Sequence, residues 1–417
     1  MKTKTKTFVV VEIAIVLCSM LLVALPAIAA TSEIYEPGPL DVFGNANGDD
    51  IIDMRDTTYI KLAIFGKKPK TDLADANNDG KVSMLDVGQT KLIILGKEKK
   101  LTLIDDLGRI VTVNKPILRI VTINYRLPEL LVVIGAKDKI VGVESRFKTR
   151  MKDIAEAWDM MEVSVIGTSK LPDYEQILEL KPDVIITALG MIEPEEVTEK
   201  LPGIPVIAIF GYDSDYIIYD LRLLGMIVDE EDGAANIIDF MQNYEGIIEE
   251  RTKELNPEEI PTFYLEGPTS YSIYGPSSLG KLAEGCGGRN IAPEIGTGSS
   301  SVEVSPEWVL EKNPDIVIKR AQFLGLDATE DDAEKTLNEF IGRTGWDELS
   351  AVKKNRAYLL EGDLIFTPRY LAGRCYLAKW FQPELFEDFD PEGILREYHE
   401  EFMGIEYRGI WAYPPPK

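Results

Sequence analysis

DYEQILELKPDVII at residues 173–186 and SPEWVLEKNPDIVI at 305–318 are one phrase written twice, 132 residues apart. Six of the 14 aligned positions are identical: Glu175/Glu307, Leu178/Leu310, Glu179/Glu311, Pro182/Pro314, Asp183/Asp315 and Ile186/Ile318. Each copy opens on a capping residue, Asp173 or Ser305, runs a short helical pattern, stops at Pro-Asp and enters an apolar run. Proline ends helices and cannot pair inside a central strand. Each phrase therefore predicts helix, break, strand, and the repetition predicts two related lobes.

The surrounding chain has the same texture. RIVTINY, KIVGVE, DVIITAL, PVIAIF, PTFYLE, DIVIKR and RAYLLEG are short, apolar on both faces, and separated by helical patterns. Such runs predict buried parallel strands with helices on each side, an α/β fold. Between the lobes, residues 229–255 carry acidic residues first, apolar residues at helical spacing and cations last, as a helix favours. This is one long helix, stopped at Asn256-Pro257. The expected architecture is two Rossmann-like lobes, residues 104–228 and 259–403, joined by that helix, with a tail at 404–417.

A second repeat lies upstream at an offset of 30. NANGDDIIDMRDTTYIKLAIFGKKPK (45–70) and DANNDGKVSMLDVGQTKLIILGKEKK (75–100) share 11 of 26 positions. Calcium takes six to eight oxygens, which a 12-residue loop supplies from positions 1, 3, 5, 7, 9 and 12. The second copy offers Asp75, Asn77, Asp79, the Lys81 carbonyl, Ser83 and Asp86, with Gly80 at the sharp turn. The first offers Asn45, Asn47, Asp49, the Ile51 carbonyl, Asp53 and Asp56, with Asp50 where glycine is preferred. The second loop is the better site. Position 12 is Asp in both, and no helical pattern precedes either loop. Residues 41–98 thus resemble the dockerin type I module, a small all-α duplication. That resemblance implies structural calcium and a cohesin partner, with Met54, Arg55, Met84 and Leu85 facing it. A purely structural calcium clip is the alternative.

MKTKTKT followed by FVVVEIAIVLCSMLLVALPAIAA (8–30) reads as a secretory signal, residues 1–30, with an uncleaved membrane anchor as the alternative. The protein is expected to be exported to a cell surface or periplasm-like space. The net charge of −25 excludes nucleic acid, because nothing neutralises phosphates. Cys286 and Cys375 could pair or remain free thiols. His399 is the one histidine, so no His-based triad or zinc cluster can be built, and no enzyme is expected. GPSSLGKL (275–282) fails as a phosphate loop at Leu282, where Ser or Thr must reach magnesium. GTGSSS (296–301) lacks nucleophile-elbow spacing.

The large domain resembles the solute-binding proteins of iron–siderophore and cobalamin ABC importers. The residues that carry this are RIVTINYRLPELLVVIGAKDKIVGVE (119–144), LKPDVII (180–186), CGGRNIA (286–292), VSPEWVLEKNPDIVI (304–318) and AVKKNRAYLL (351–360). The resemblance spans about 104–403. It implies a receptor that clamps a metal chelate between its lobes and delivers it to an ABC permease, with Glu175 and Glu307 meeting the permease. The iron–siderophore is the favoured ligand. Cobalamin or another corrinoid, haem or an oxyanion are alternatives, and a surface scaffold or adhesion protein that imports nothing is a rival of another class.

Scarcity of histidine argues against bare zinc or manganese. A chelate needs arginines for its anionic groups and aromatics for its apolar face. Ligands in open α/β sheets lie at the carboxyl ends of strands. Those ends give Asn124, Tyr125 and Arg126; Glu144 and Arg146; Tyr212; Tyr271 and Tyr274; Arg320; and Arg369. Arg320 is the most pointed, since its counterpart in the first lobe is Ala188.

Overall fold

The computed structural model describes residues 36, 38–275, 278–292 and 301–415. The signal segment 1–30 and most of GTGSSS lie outside these residues.

The chain enters through two loop–helix units, with helices Met54–Ile64 and Met84–Ile94. Each helix has a capping box: Asp53 with Asp56, and Ser83 with Asp86. Ala46, Ile60, Ala74 and Val87 form a small core. This unit is not a free handle. Leu40, Val42, Ile52 and Ile93 belong to the main core of the large domain, with Met226, Ala234 and Ile238. Arg222 donates to the Pro39 carbonyl (2.9 Å) and pairs with Asp50 (3.5 Å).

An antiparallel hairpin follows, β1 (Lys100–Ile104) and β2 (Ile110–Asn114). The N-lobe sheet comprises β3 (Ile120–Ile123), β4 (Ile140–Val143), β5 (Ser164–Val165), β6 (Val184–Ala188) and β7 (Val206–Ile209). Its order is β5-β4-β3-β6-β7, all parallel. The chain passes from β3 through β4 and β5 on one side, then crosses back to β6 on the other side of β3. A crevice opens outside the strand ends at such a switch point.

The C-lobe comprises β8 (Thr262–Glu266), β9 (Ser272–Ile273), β10 (Arg289–Asn290), β11 (Val302–Glu303), β12 (Ile316–Ala321), β13 (Ala357–Glu361) and β14 (Ala412–Tyr413). The order is β11-β9-β8-β12-β13-β14, with β8, β12 and β13 parallel and β10 beside β8. The expected tail at 404–417 is corrected here. Ala412–Tyr413 pairs antiparallel with β13, and Trp411 is buried against the core, so this segment closes the sheet edge.

The repeated phrase is structural. Helices Tyr174–Leu180 and Pro306–Lys312 are capped by Asp173 and Ser305, and end on left-handed Lys181 and Asn313. The aspartate after each proline has the same task. Asp183 accepts from the Leu118 and Arg119 amides (2.8 and 2.9 Å) at the mouth of β3. Asp315 accepts from the Thr262 amide and hydroxyl (3.0 and 2.7 Å) at the start of β8. Each carboxylate satisfies the backbone where the neighbouring strand begins.

The linking helix is Glu231–Thr252, 22 residues or about 33 Å long. It is shorter than the 229–255 expected, because Asp229 turns left-handed to cap the preceding helix, Ile217–Val228. A Cβ on Gly233 would lie 2.1 Å from the Ile134 carbonyl oxygen, so glycine alone lets the helix dock there. Cys286 and Cys375 are both buried and free, which settles their pairing. Among the described residues no helix is long and apolar enough to cross a membrane.

Candidate functional site

The carboxyl ends of β3, β4, β12 and β13 meet between the lobes. Asn124, just after β3, accepts from the Arg126 amide (2.9 Å) and sets the turn into helix Leu127–Val133. That turn places Tyr125 between two guanidiniums, Arg126 at 4.5 Å and Arg146 at 4.7 Å from the ring centroid. Buried Glu144 holds Arg146 through Nε (3.0 Å), and Ser169 accepts from its Nη2 (2.6 Å). From the other lobe, Phe366 receives Arg126 on its ring at 4.6 Å and Arg320 at 4.5 Å. Arg320 donates to the Tyr274 hydroxyl (3.1 Å). The result is a ladder of alternating cations and rings: Arg146, Tyr125, Arg126, Phe366, Arg320. Guanidinium–ring contacts of this kind are attractive and gain strength where water is excluded.

Asp363 is the carboxylate of the ladder. It accepts from Arg126 Nε (2.9 Å) and Nη2 (2.8 Å). Burial raises its pKa, but Arg126, Arg369 and Arg320 outweigh burial and hold it below the usual range. Glu361 accepts from the Asp363 amide (2.7 Å). Burial, then the Asp363 charge, pushes the Glu361 pKa up to about 8. Arg320 differs from its neighbours: among the described residues no carboxylate lies within 4 Å of it, and its buried Nε has no hydrogen-bond partner. Gly362 makes room for it, since a Cβ there would sit 2.9 Å from that Nε.

A cavity of about 640 Å³ adjoins the ladder, lined by Arg150, Asp153, Phe323, Glu361, Asp363 and Arg369 among others. Phe323 stands exposed at its rim.

Of the residues singled out by sequence, Tyr125, Arg146, Arg320 and Tyr274 are in the ladder or touch it. Asn124 and Glu144 position it from beneath. Tyr212 is half-buried beside it. Its hydroxyl donates to the Leu189 carbonyl (2.9 Å), and burial raises its pKa against the Arg126 charge.

Two of the expected residues have structural partners of their own. Arg369 is bound through Nε and Nη2 to buried Glu129 (2.9 Å each), with Tyr398 donating to the same carboxylate (2.9 Å). It ties the lobes together through Nε and Nη2, and it also lines the cavity. Tyr271 stacks under Arg343 (4.7 Å), which Glu266 holds bidentately with Lys319 alongside. Lys319 and Arg320 are adjacent on one strand, so they face opposite sides of the sheet. Tyr271 follows Lys319, not Arg320.

Sequence reading left out Phe366, Asp363 and Glu361 altogether. The signal was present, because all three follow or end β13, the strand written RAYLLEG. Glu175 and Glu307 are both exposed on the first turns of equivalent helices.

In the upstream loops, Asp75 accepts from the Asp79 and Gly80 amides (3.1 and 2.7 Å), and Asp86 from Asn77 and Ser83 (3.2 and 2.7 Å). The first loop carries its own cation: Arg55 pairs with Asp49 (3.1 Å) and Asp53 (2.8 Å). The buried Asn45 Oδ1 has no hydrogen-bond partner. Among the described residues no three Asp, Glu, His or Cys side chains converge as a metal site.

Comparison with known proteins fits this geometry. MolA, a molybdate-binding protein of Haemophilus influenzae, is 23% identical over 333 residues, 73% of this chain and 91% of the relative. YvrC of Bacillus subtilis, an uncharacterized ABC transporter substrate-binding lipoprotein, is 23% identical over 298 residues, 69% of this chain and 87% of the relative. Among solved structures, the TroA-like periplasmic binding protein FepB from Veillonella parvula superposes with a TM-score of 0.66 at 28% identity. It covers 75% of this chain and 98% of that one. The model of the periplasmic binding protein family matches residues 120–364, and the chain belongs to that family.

Proposed function

We propose that this protein is the exported substrate-binding component of an ABC importer, and that it captures an anionic metal chelate, of which an iron–siderophore is the favoured example, between its lobes. The guanidinium–aromatic ladder carries this reading. Guanidiniums match carboxylate and catecholate oxygens in pairs, and rings cover a chelate's apolar faces. The adjoining cavity, about 640 Å³, falls in the range of roughly 300–1,000 Å³ that small-molecule sites occupy. A bare tetrahedral oxyanion needs far less. The oxyanion remains the second reading, favoured by the one guanidinium without a carboxylate, Arg320, and by the molybdate ligand of MolA. Cobalamin follows, from a cobalamin-binding protein of Halobacterium salinarum that is 24% identical over 221 residues and covers 58% of that relative.

Delivery rests on Glu175 and Glu307, equivalent and exposed, as the permease contacts. Calcium belongs to the upstream loops. Oxygen ligands at the right spacing and the partnerless Asn45 Oδ1 support it, and Met54, Arg55, Met84 and Leu85 offer a face to a cohesin-like partner.

The test is calorimetry of the chain from residue 31 with ferric hydroxamate and catecholate siderophores, molybdate, cobalamin and haem. A ferric siderophore should bind, and Arg320→Met should weaken it at least tenfold. Binding of cobalamin alone, indifferent to Arg320→Met, would overturn the anionic reading.

A further inference from the structure

Asp363 stands where a ligand's anion would stand. Its carboxylate comes from the C-lobe, and one oxygen, Oδ1, accepts from both Nε and Nη2 of Arg126 in the N-lobe (2.9 and 2.8 Å), across the edge that a guanidinium offers to carboxylates in general. It is not sealed into the core, for its side chain is 16% exposed and lines the cavity beside the ladder. Three guanidiniums, Arg126, Arg369 and Arg320, act on it together. Its backbone is fixed by the Glu361 carboxylate, in the turn Gly362–Ile365 that also admits Arg320. No other carboxylate reaches Arg126 within 4 Å among the described residues. An incoming anion that seeks the Nε–Nη2 edge of Arg126 must therefore replace Asp363.

We propose that Asp363 is the specificity residue of the cleft: a resident carboxylate that occupies the anion position at Arg126 and yields it only to a ligand group carrying more negative charge. This rests on the reading of the cleft as an anion-binding site. A simple monoanion gains nothing by the exchange, because it replaces one carboxylate by its equal and also loses the intramolecular advantage. A dianion, or a chelate presenting several oxygens, engages Arg126 and Arg320 at once. The exchange also frees the Asp363–Arg126 bridge between lobes, so capture and lobe rearrangement are one event.

The test compares the wild-type chain with Asp363→Asn, an isosteric change that keeps the turn and removes the charge. Calorimetry uses three probes: molybdate, a ferric tris-catecholate complex and formate. The variant should bind molybdate and the ferric complex about tenfold to a hundredfold more tightly than wild type, the worth of one charge-assisted pair. Formate, rejected by wild type, should bind the variant. Arg126→Met in the Asp363→Asn background should reverse both gains, which separates a lost counter-charge from a general loosening of the fold. Equal or weaker affinity in Asp363→Asn overturns the proposal while leaving a wild-type receptor intact. Binding of no probe by either protein also overturns it, since two uncompensated guanidiniums must take an anion. The receptor reading then stands or falls on cobalamin and haem.

Discussion

Replacing Glu129 by leucine should cost about 3–5 kcal/mol of stability and divide the unfolding of the two lobes. Glu129 is fully buried on helix Leu127–Val133 of the N-lobe, and Arg369, 2% exposed, precedes helix Tyr370–Phe381 of the C-lobe. The carboxylate takes two guanidinium donors and one phenol, each at 2.9 Å. Its removal strands a buried cation, and breaking one side of a buried pair costs about 3–5 kcal/mol. The orphaned Tyr398 hydroxyl is part of the same loss, not an addition to it. Urea unfolding followed by tryptophan fluorescence reads the change. Glu129→Leu with Arg369→Met should recover most of the stability, because apolar side chains of similar volume often replace a buried pair at little net cost. A loss below about 1 kcal/mol for Glu129→Leu, or a double variant as weak as the sum of the singles, would refute the assignment of this pair as the tie between lobes.

Three further outcomes follow. Burial, then the Arg369 charge, holds the His399 pKa down at about 3, against 6.5 in the unfolded chain. The unfolded state thus binds one more proton between those values, so this term falls as pH drops from 6.5, by up to about 1.4 kcal/mol per pH unit. His399→Gln should flatten that limb of a stability–pH curve, and an unchanged slope would exclude a buried neutral imidazole. Calcium should raise the melting temperature of the full chain. Asp86→Ala should abolish most of the rise, and Arg55→Ala should tighten the first loop by freeing Asp49 and Asp53; a calcium response identical in all three proteins refutes the loop assignment. Glu175→Arg with Glu307→Arg should abolish uptake through the cognate permease while leaving ligand affinity within twofold of wild type, and uptake at the wild-type rate would remove both glutamates from the permease contact.

The strands most easily read from sequence were those whose signal is local. The phrase ending in Pro-Asp could be read twice because a proline break and an apolar run need no distant partner. The same chemistry hid the edges. Ser164–Val165, Val302–Glu303 and Ala412–Tyr413 are two residues long, and pairing with a neighbour, not periodicity, makes them strands. Arg320 was legible as a strand-end cation facing a gap in the repeat. Arg369 looked equally promising, but its partner Glu129 lies 240 residues away and no local pattern announces it. Tyr271 failed for a geometric reason, since one step along β12 exchanges the two faces of the sheet.

The bulk charge and the cleft point in opposite directions, and that opposition sharpens the mechanism. A chain of net charge −25 repels anions at long range. At physiological salt that repulsion fades within a Debye length of about 8 Å. Steering therefore contributes little to capture, and the contact chemistry of the cleft must decide it. Three guanidiniums in a shared space would repel one another if bare. Tyr125 and Phe366 stand between them, while Glu144 and Asp363 neutralise two of the three. What remains is one unspent positive charge, Arg320, beside a carboxylate that can be displaced. Such a site carries one net positive charge when empty and becomes strongly attractive only to a group able to engage Arg320 and Arg126 together. Selectivity for multiply charged ligands then follows from charge arithmetic at contact distance, on a protein whose surface would otherwise turn anions away.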